Sequence, residues 1–163
     1  MGLREKIQGD LKGAIKGKIE LETLVLRQLS ATFLNKEKEK RFKIFKEKPE
    51  ADLEKDSRLT DEEVLEVISS EAKKRKESIS EFEKGGRRDL AEKEKKELII
   101  LEKYLPEQMS EEDLREIVRE AVKKVGASNQ KDIGKVMAEL MPRVKGRADG
   151  SLVSKMVKEF LAK

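Results

Sequence analysis

Cysteine, histidine and tryptophan are absent from the chain, and aromatic residues make up 4% of it. Without thiols there can be no disulfide, no cysteine-based zinc site and no thiolate nucleophile. Without imidazole, no acid–base scheme can pass a proton through histidine. What remains for catalysis is carboxylate, lysine, hydroxyl or tyrosine chemistry, or a hard cation held by carboxylates. Each of these needs a concave site that small helical bundles seldom build, so no catalytic residue, metal ligand or cofactor is expected. No apolar run approaches the length a bilayer span needs, and residues 1–18 are amphipathic and charged, without the apolar core of a signal peptide. The expectation is a cytoplasmic protein with no membrane partner.

Charge is abundant. Of 163 residues 44% are charged, and 38 basic against 34 acidic side chains leave a net charge of +4. Attraction to a polyanion must therefore come from local clusters rather than from the total. Lysine, glutamate and leucine dominate, a balance whose natural product is long amphipathic helices, and the fold class read from it is all-α.

Near the amino terminus Leu3, Ile7, Leu11 and Ile15 recur every four residues, and Gly9, Gly13 and Gly17 form a second row at the same spacing. The apolar row predicts a helix. The glycine row predicts that it frays unless another helix packs closely over it. A second helix runs from near Ile19 past Asn35, with Leu21, Leu24, Val25, Gln28, Leu29 and Phe33 available to its buried side. The pattern lapses into polar residues over 49–58. Thr60 with Glu63 then forms a capping box, which opens a helix carrying Val64, Val67, Ile68, Ala72, Arg75, Ile79 and Phe82 and ending at Gly85-Gly86. Asp89 with Glu92 suggests another start, for a helix stopped by Pro106. Pro106-Glu107-Gln108 reads as a hinge, because Ser110 and the acidic run after it begin a new unit. That unit has three helices, the first ending at Gly126, the second at Pro142, and the third carrying Leu152 to Leu161. The organisation expected is thus two small helical lobes, one of about four helices over 1–105 and a three-helix lobe over 106–163.

Leu105-Pro106-Glu107-Gln108, Ser110-Glu111-Glu112, Lys131-Asp132-Ile133-Gly134-Lys135-Val136-Met137, Met141-Pro142 and Lys145-Gly146-Arg147-Ala148-Asp149-Gly150 resemble the GatB/YqeY domain. That domain is also the tail of the B subunit of the tRNA-dependent amidotransferase. Asn35-Lys36-Glu37, the stretch from Glu71 to Ser78, and Phe82 to Arg87 resemble the amino-terminal lobe of free-standing YqeY-like proteins. The resemblance implies a helical first lobe, a three-helix tail lobe and contact with tRNA or another structured RNA. It also brings the label of a carbon–nitrogen ligase using glutamine as amide donor. The ATP-dependent transfer chemistry of that enzyme belongs to a separate, larger domain, and its glutamine hydrolysis to another subunit. The implied role is therefore an accessory, tRNA-binding one. The rival is an adaptor for an aminoacyl-tRNA synthetase or an amidotransferase, and amide transfer by the chain itself ranks third.

The residues expected to touch RNA are Lys131, Lys135, Arg143, Lys145, Gly146, Arg147, Gly150 and Lys155. The loop Arg143 to Ser151 is basic, punctuated by glycine, and runs into a helix whose first amides could hold a phosphate. Against this, Asp149 can cap the same helix, and Gly146 and Gly150 can simply permit a tight turn. From 131 to 155 six basic residues face three acidic ones, although a solvated face explains most single lysines. A second basic run, Lys36 to Lys46, interleaves Phe42 and Phe45 with cations; the pair reads as a packing edge before it reads as a base-stacking surface. Arg75 near Glu71 reads as an interior ion pair. Ser69-Ser70 with Lys73 shares residue types with amidase triads and reads as a solvated face.

Overall fold

The computed structural model describes residues 2–49 and 52–162. Residues 50 and 51, within the expected polar lapse, lie outside that description. The described residues are helical with no strand, and they divide into two compact units, Met1–Tyr104 and Leu105–Lys163. The first contains α1 (Leu3–Lys16), α2 (Glu20–Glu47), the single turn α3 (Leu53–Asp56), α4 (Asp61–Lys84) and α5 (Arg88–Glu102). The second contains α6 (Glu111–Val125), α7 (Ile133–Val144) and α8 (Gly150–Leu161), with a 3-10 turn at Gln130–Asp132 leading into α7.

Local chemistry accounts for most helix boundaries. At the start of α4 the Glu63 amide donates to the Thr60 hydroxyl and the Thr60 amide to the Glu63 carboxylate, the reciprocal bonds of a capping box. Ser110 caps α6 by accepting from the Asp113 amide, and Gly126 closes that helix in the left-handed region at φ 65°, where a side chain would be strained. Two expected boundaries are corrected. Asp89 is not a cap; Arg87 holds that position, and the Asp89 carboxylate in the first turn of α5 pairs with its guanidinium. Pro142 does not stop α7, which continues to Val144. Proline near a helix end forfeits one internal bond, and burial of Val144 in the core anchors the final turn.

In the first unit α4 and α5 run antiparallel, as the ion pairs Glu83–Lys95 and Lys76–Glu102 require. Arg75 sits between them with 11% of its side chain exposed. Its guanidinium reaches Glu97 at 3.1 Å, Glu71 at 3.4 Å and the Gln28 side chain of α2 at 3.1 Å, the interior ion pair expected of it. A charge so enclosed is tolerable because its partners are enclosed with it, and removing one of them would strand the other. Glu37, also buried, pairs with Arg4 of α1 and accepts from the Leu59 amide, tying α1 and the entry to α4 onto α2. Ser69 departs from the solvated face assigned to it; its hydroxyl is buried and has no hydrogen-bond partner.

The apolar row of α1 is only partly correct. Ile7 is fully buried, but Ile15 is 45% exposed and Ala14 takes its place in the core. Steps of four residues drift about 40° each around a helix, so by the third step the row has turned away from the core. On α2 Leu24 is likewise 42% exposed, and Leu26 is buried instead. No helix covers the glycine row: a Cβ placed at Gly9 or Gly13 meets nothing within 4 Å. The helix is held from its other side, by Ile7, Ala14, the Arg4–Glu37 pair and the Tyr104 hydroxyl, which donates to Asp10 at 2.8 Å.

Gly9→Ala and Gly13→Ala should therefore stabilise the first unit by about 0.5–1 kcal/mol each, measured by denaturant unfolding, because the added methyls restrict the unfolded chain and clash with nothing. Tyr104, the chain's single tyrosine, is held above the usual phenol range by its burial and then by the bond to Asp10. A raised folded pKa means that its contribution is complete below the unfolded value of roughly 10 and is lost as pH rises beyond it. In an alkaline titration, phenolate absorbance should rise later than in free tyrosine and together with loss of helical signal, and Tyr104→Phe should remove that coupling.

Candidate nucleic-acid interface

The core of the second unit comprises Leu114, Val118 and Ala121 of α6, Val136, Leu140 and Val144 of α7, and Val153, Met156, Val157 and Leu161 of α8. These positions recur at helical spacing and leave the intervening charged residues outside. Between α7 and α8 lies the glycine-punctuated loop, and its backbone is heavily bonded. The Arg147 and Ala148 amides both donate to the Val144 carbonyl, and the Lys145 amide donates to Met141. Gly146 takes φ 75°, a turn that favours glycine, and a Cβ there would meet the Pro106 ring at 3.4 Å.

The segment read as a hinge is fastened to this loop. The Gln108 side-chain amide donates to the carbonyls of Pro106 at 2.9 Å and Gly146 at 2.8 Å. The Met109 amide donates to Arg147 O at 2.9 Å, and Arg147 Nε donates to Glu107 O at 3.2 Å. Residues 106–109, at the start of the second unit, therefore form a clasp on the loop, and each segment satisfies polar groups of the other.

The same bonding settles the competition for the start of α8. Asp149 caps it, accepting from the Ser151 amide at 2.7 Å, so that amide is engaged within the protein. A phosphate at this loop would be met by side chains. Lys145 and Arg147 are both exposed, and the bond to Glu107 uses one of the five N–H donors of Arg147 while orienting its plane. On α8, Gly150, Ser151, Ser154, Lys155, Lys158 and Glu159 line a shallow groove. Lys158 and Ser154 were missed in reading the sequence, although steps of three and four residues from Ser151 and Lys155 place all four on one side of the helix.

The remaining expected cations sit differently. Arg143 is paired with Glu120 of α6 at 2.9 Å, beside a Lys124–Glu139 pair that links the same two helices. Lys131 and Lys135 are exposed at the entry to α7, and Lys135 lies 3.9 Å from Asp132. At 1.5 Å per residue, the ten residues from Lys135 to Lys145 put these two about 15 Å apart along the helix, so the eight residues do not form one cluster. The three carboxylates of this stretch all have structural work. Glu139 binds Lys124 and Asp149 caps α8, while Asp132 accepts from the Ser128 and Asn129 amides. The Ser128 amide, with Asn129 and Lys135 behind it, holds the Asp132 carboxyl below the usual carboxylate range. Among the described residues no three carboxylates are grouped to hold a metal ion, and no helix is long and apolar enough to cross a membrane.

The family model described as Yqey-like protein matches residues 4–161. The chain belongs to the YqeY-like protein family. The match spans both units, so the clasp and the basic loop lie within what the YqeY-like model covers. Among relatives, the chain is similar to a Pyrenophora tritici-repentis protein named "Altered inheritance of mitochondria protein 41, mitochondrial". The two are 30% identical over 159 residues, covering 96% of this chain and 79% of that protein. It is also similar to an uncharacterized protein of Schizosaccharomyces pombe, 47% identical over 51 residues, covering 31% of this YqeY-like chain and 42% of that protein. The first relative's name places that protein in mitochondria, which does not bear out the cytoplasmic location expected for this one.

If the clasp shapes the loop, Gln108→Ala should destabilise the second unit by about 1 kcal/mol and speed amide exchange at Met109, while Val153 in the core keeps its protection. Unchanged exchange at Met109 would show the loop to be shaped without the clasp.

Proposed function

We propose that this YqeY-like chain is an RNA-binding accessory module of tRNA metabolism, with the tail loop as its principal phosphate contact. The observation that supports this reading is the division of charge in the second unit. The carboxylates at 132, 139 and 149 are tied into caps and an ion pair, and Lys145, Arg147, Lys155 and Lys158 are placed at the surface of the loop and of the helix that follows it, with Glu159 the carboxylate that shares the groove of the last two. A backbone already shaped spares the ordering of the loop itself when its cations meet a phosphate, and such contacts position a nucleic acid without reading its sequence. Recognition would then be of the shape and backbone of a folded RNA such as tRNA. Lys131 and Lys135, farther along α7, would serve as peripheral attraction, and Gly146 and Gly150 would permit the loop's path rather than contact RNA directly.

Amide transfer by the chain itself is not part of the proposal: the hydroxyl–carboxylate pairs Ser110–Asp113 and Tyr104–Asp10 serve a helix cap and the anchoring of α1. A second reading, an adaptor for a synthetase or an amidotransferase, is favoured by one feature: Ile15 and Leu24 lie exposed in a shallow groove with Lys18, Glu20, Thr23 and Arg27.

Binding of a mixed tRNA pool across a salt series tests the proposal. Lys145→Ala/Arg147→Ala should weaken binding at least several-fold and make the dependence of log affinity on log salt shallower by about two, the signature of two lost phosphate contacts. Equal binding by the variant, or no tRNA binding by the native chain, would move the assignment to the adaptor. Amide transfer from glutamine by the isolated chain would overturn both.

A further inference from the structure

The far half of α2 carries a face that neither the core nor the tail loop explains. Among 38–47 only Lys40 and Ile44 are partly buried. Lys40 anchors this end by donating to the Arg58 carbonyl and the Glu63 carboxylate, and Arg41 Nε donates to the Ser57 hydroxyl. On the other side Leu34 is 52%, Phe42 60% and Phe45 53% exposed, so the two phenylalanines do not form the packing edge read from the sequence. Leu34, Lys38, Phe42 and Phe45 fall within about 80° of one another around the helix, with Arg41 and Lys46 at the margins. Of the carboxylates of this stretch, Glu37 is buried against Arg4, Glu47 lies on the opposite side of the helix, and Glu39, one turn before Phe42, sits at the margin of the face and is paired with Lys36 at 3.2 Å.

We infer that this face of α2 binds unpaired RNA bases: Phe42 and Phe45 stack on them while Lys38, Arg41 and Lys46 take the flanking phosphates. The inference rests on the RNA-binding reading above and gives the first unit its own share of it. Charge sets the class of partner, since the face carries three cations, Lys38, Arg41 and Lys46, against the single marginal carboxylate of Glu39, which Lys36 neutralises, and so suits a polyanion better than a second copy of itself. The order of residues decides between polyanions. Lys38 stands in the middle of the stripe, between Leu34 and the phenylalanines, whereas a helix lying in a membrane interface keeps its cations on the polar face and its apolar face continuous. Along the axis Phe42 and Phe45 are offset by about 4.5 Å, close to the roughly 3.4 Å rise between neighbouring bases, so the two rings can serve adjacent nucleotides. The Lys46 ammonium already lies 4.6 Å from the centre of the Phe42 ring, an arrangement that brings cation and aromatic surface to one place.

The chain has no tryptophan, so Phe42→Trp introduces a single fluorophore at the face. Single-stranded oligoadenylate should quench it by stacking, and Phe42→Ala/Phe45→Ala should weaken oligoadenylate binding roughly ten-fold or more while leaving binding of a fully paired RNA duplex unchanged. The tail variant Lys145→Ala/Arg147→Ala separates the two claims, because it should weaken duplex binding and leave the quenching in place. Quenching with an unaffected duplex interaction in the tail variant would retire the tail reading and keep this one. A blue shift with anionic phosphatidylglycerol vesicles and none of the quenching by RNA would assign the face to a membrane surface and overturn the inference. So would undiminished oligoadenylate binding by the double alanine variant.

Discussion

The side-chain amide of Gln108, shared between the carbonyls of Pro106 and Gly146, ties the segment 106–109 to the glycine-punctuated loop of the second unit. A loop exposed between two helices would ordinarily sample many conformations, and each would carry its lysine and arginine elsewhere. Here the passage of 106–109 supplies donors and acceptors to 146 and 147, and Gly146 turns in the left-handed region under the Pro106 ring. The hydrogen bonding is directed inward and the charge outward. That separation lets a short loop behave as a shaped surface.

The same economy runs through both units. Carboxylates are placed where they complete a backbone or neutralise an enclosed cation: Glu63 at a helix start, Glu37 against Arg4, Glu97 against Arg75, Asp149 at the entry to α8. Acidic groups are therefore drawn into the architecture, and a chain of small net charge can still present faces that are locally cationic. The loop of the second unit and the outer face of α2 are two such places. The first offers cations on a bonded backbone, and the second alternates them with aromatic and aliphatic surface.

What could be read from the sequence was what is decided within a few residues. The Thr60 and Ser110 starts, the left-handed Gly126 and the all-helical class follow from capping, φ and period, which are local. What escaped was decided by distant neighbours. Four-residue spacing could not say that Ile15 would rotate out of the core and Ala14 into it. Nor could it say that Gly9 and Gly13 would face open space, or that Phe42 and Phe45 would be left exposed. The basic loop is visible as composition, and the clasp is not, because Gln108 and Gly146 are brought together by the folding of the two helices between them, α6 and α7. Asp149 is legible in the sequence as a possible cap, and its bond to the Ser151 amide bears that reading out.

If RNA meets preformed cationic faces and not a site assembled by rearrangement, amide spectra of the full chain recorded while folded tRNA is added should shift chiefly in 145–158 and 34–46, and the protection of the Met109 and Ser151 amides, present in the free protein, should not change. Shifts confined to other helices, or Met109 and Ser151 protected only once RNA is bound, would show instead that the faces are not preformed for RNA.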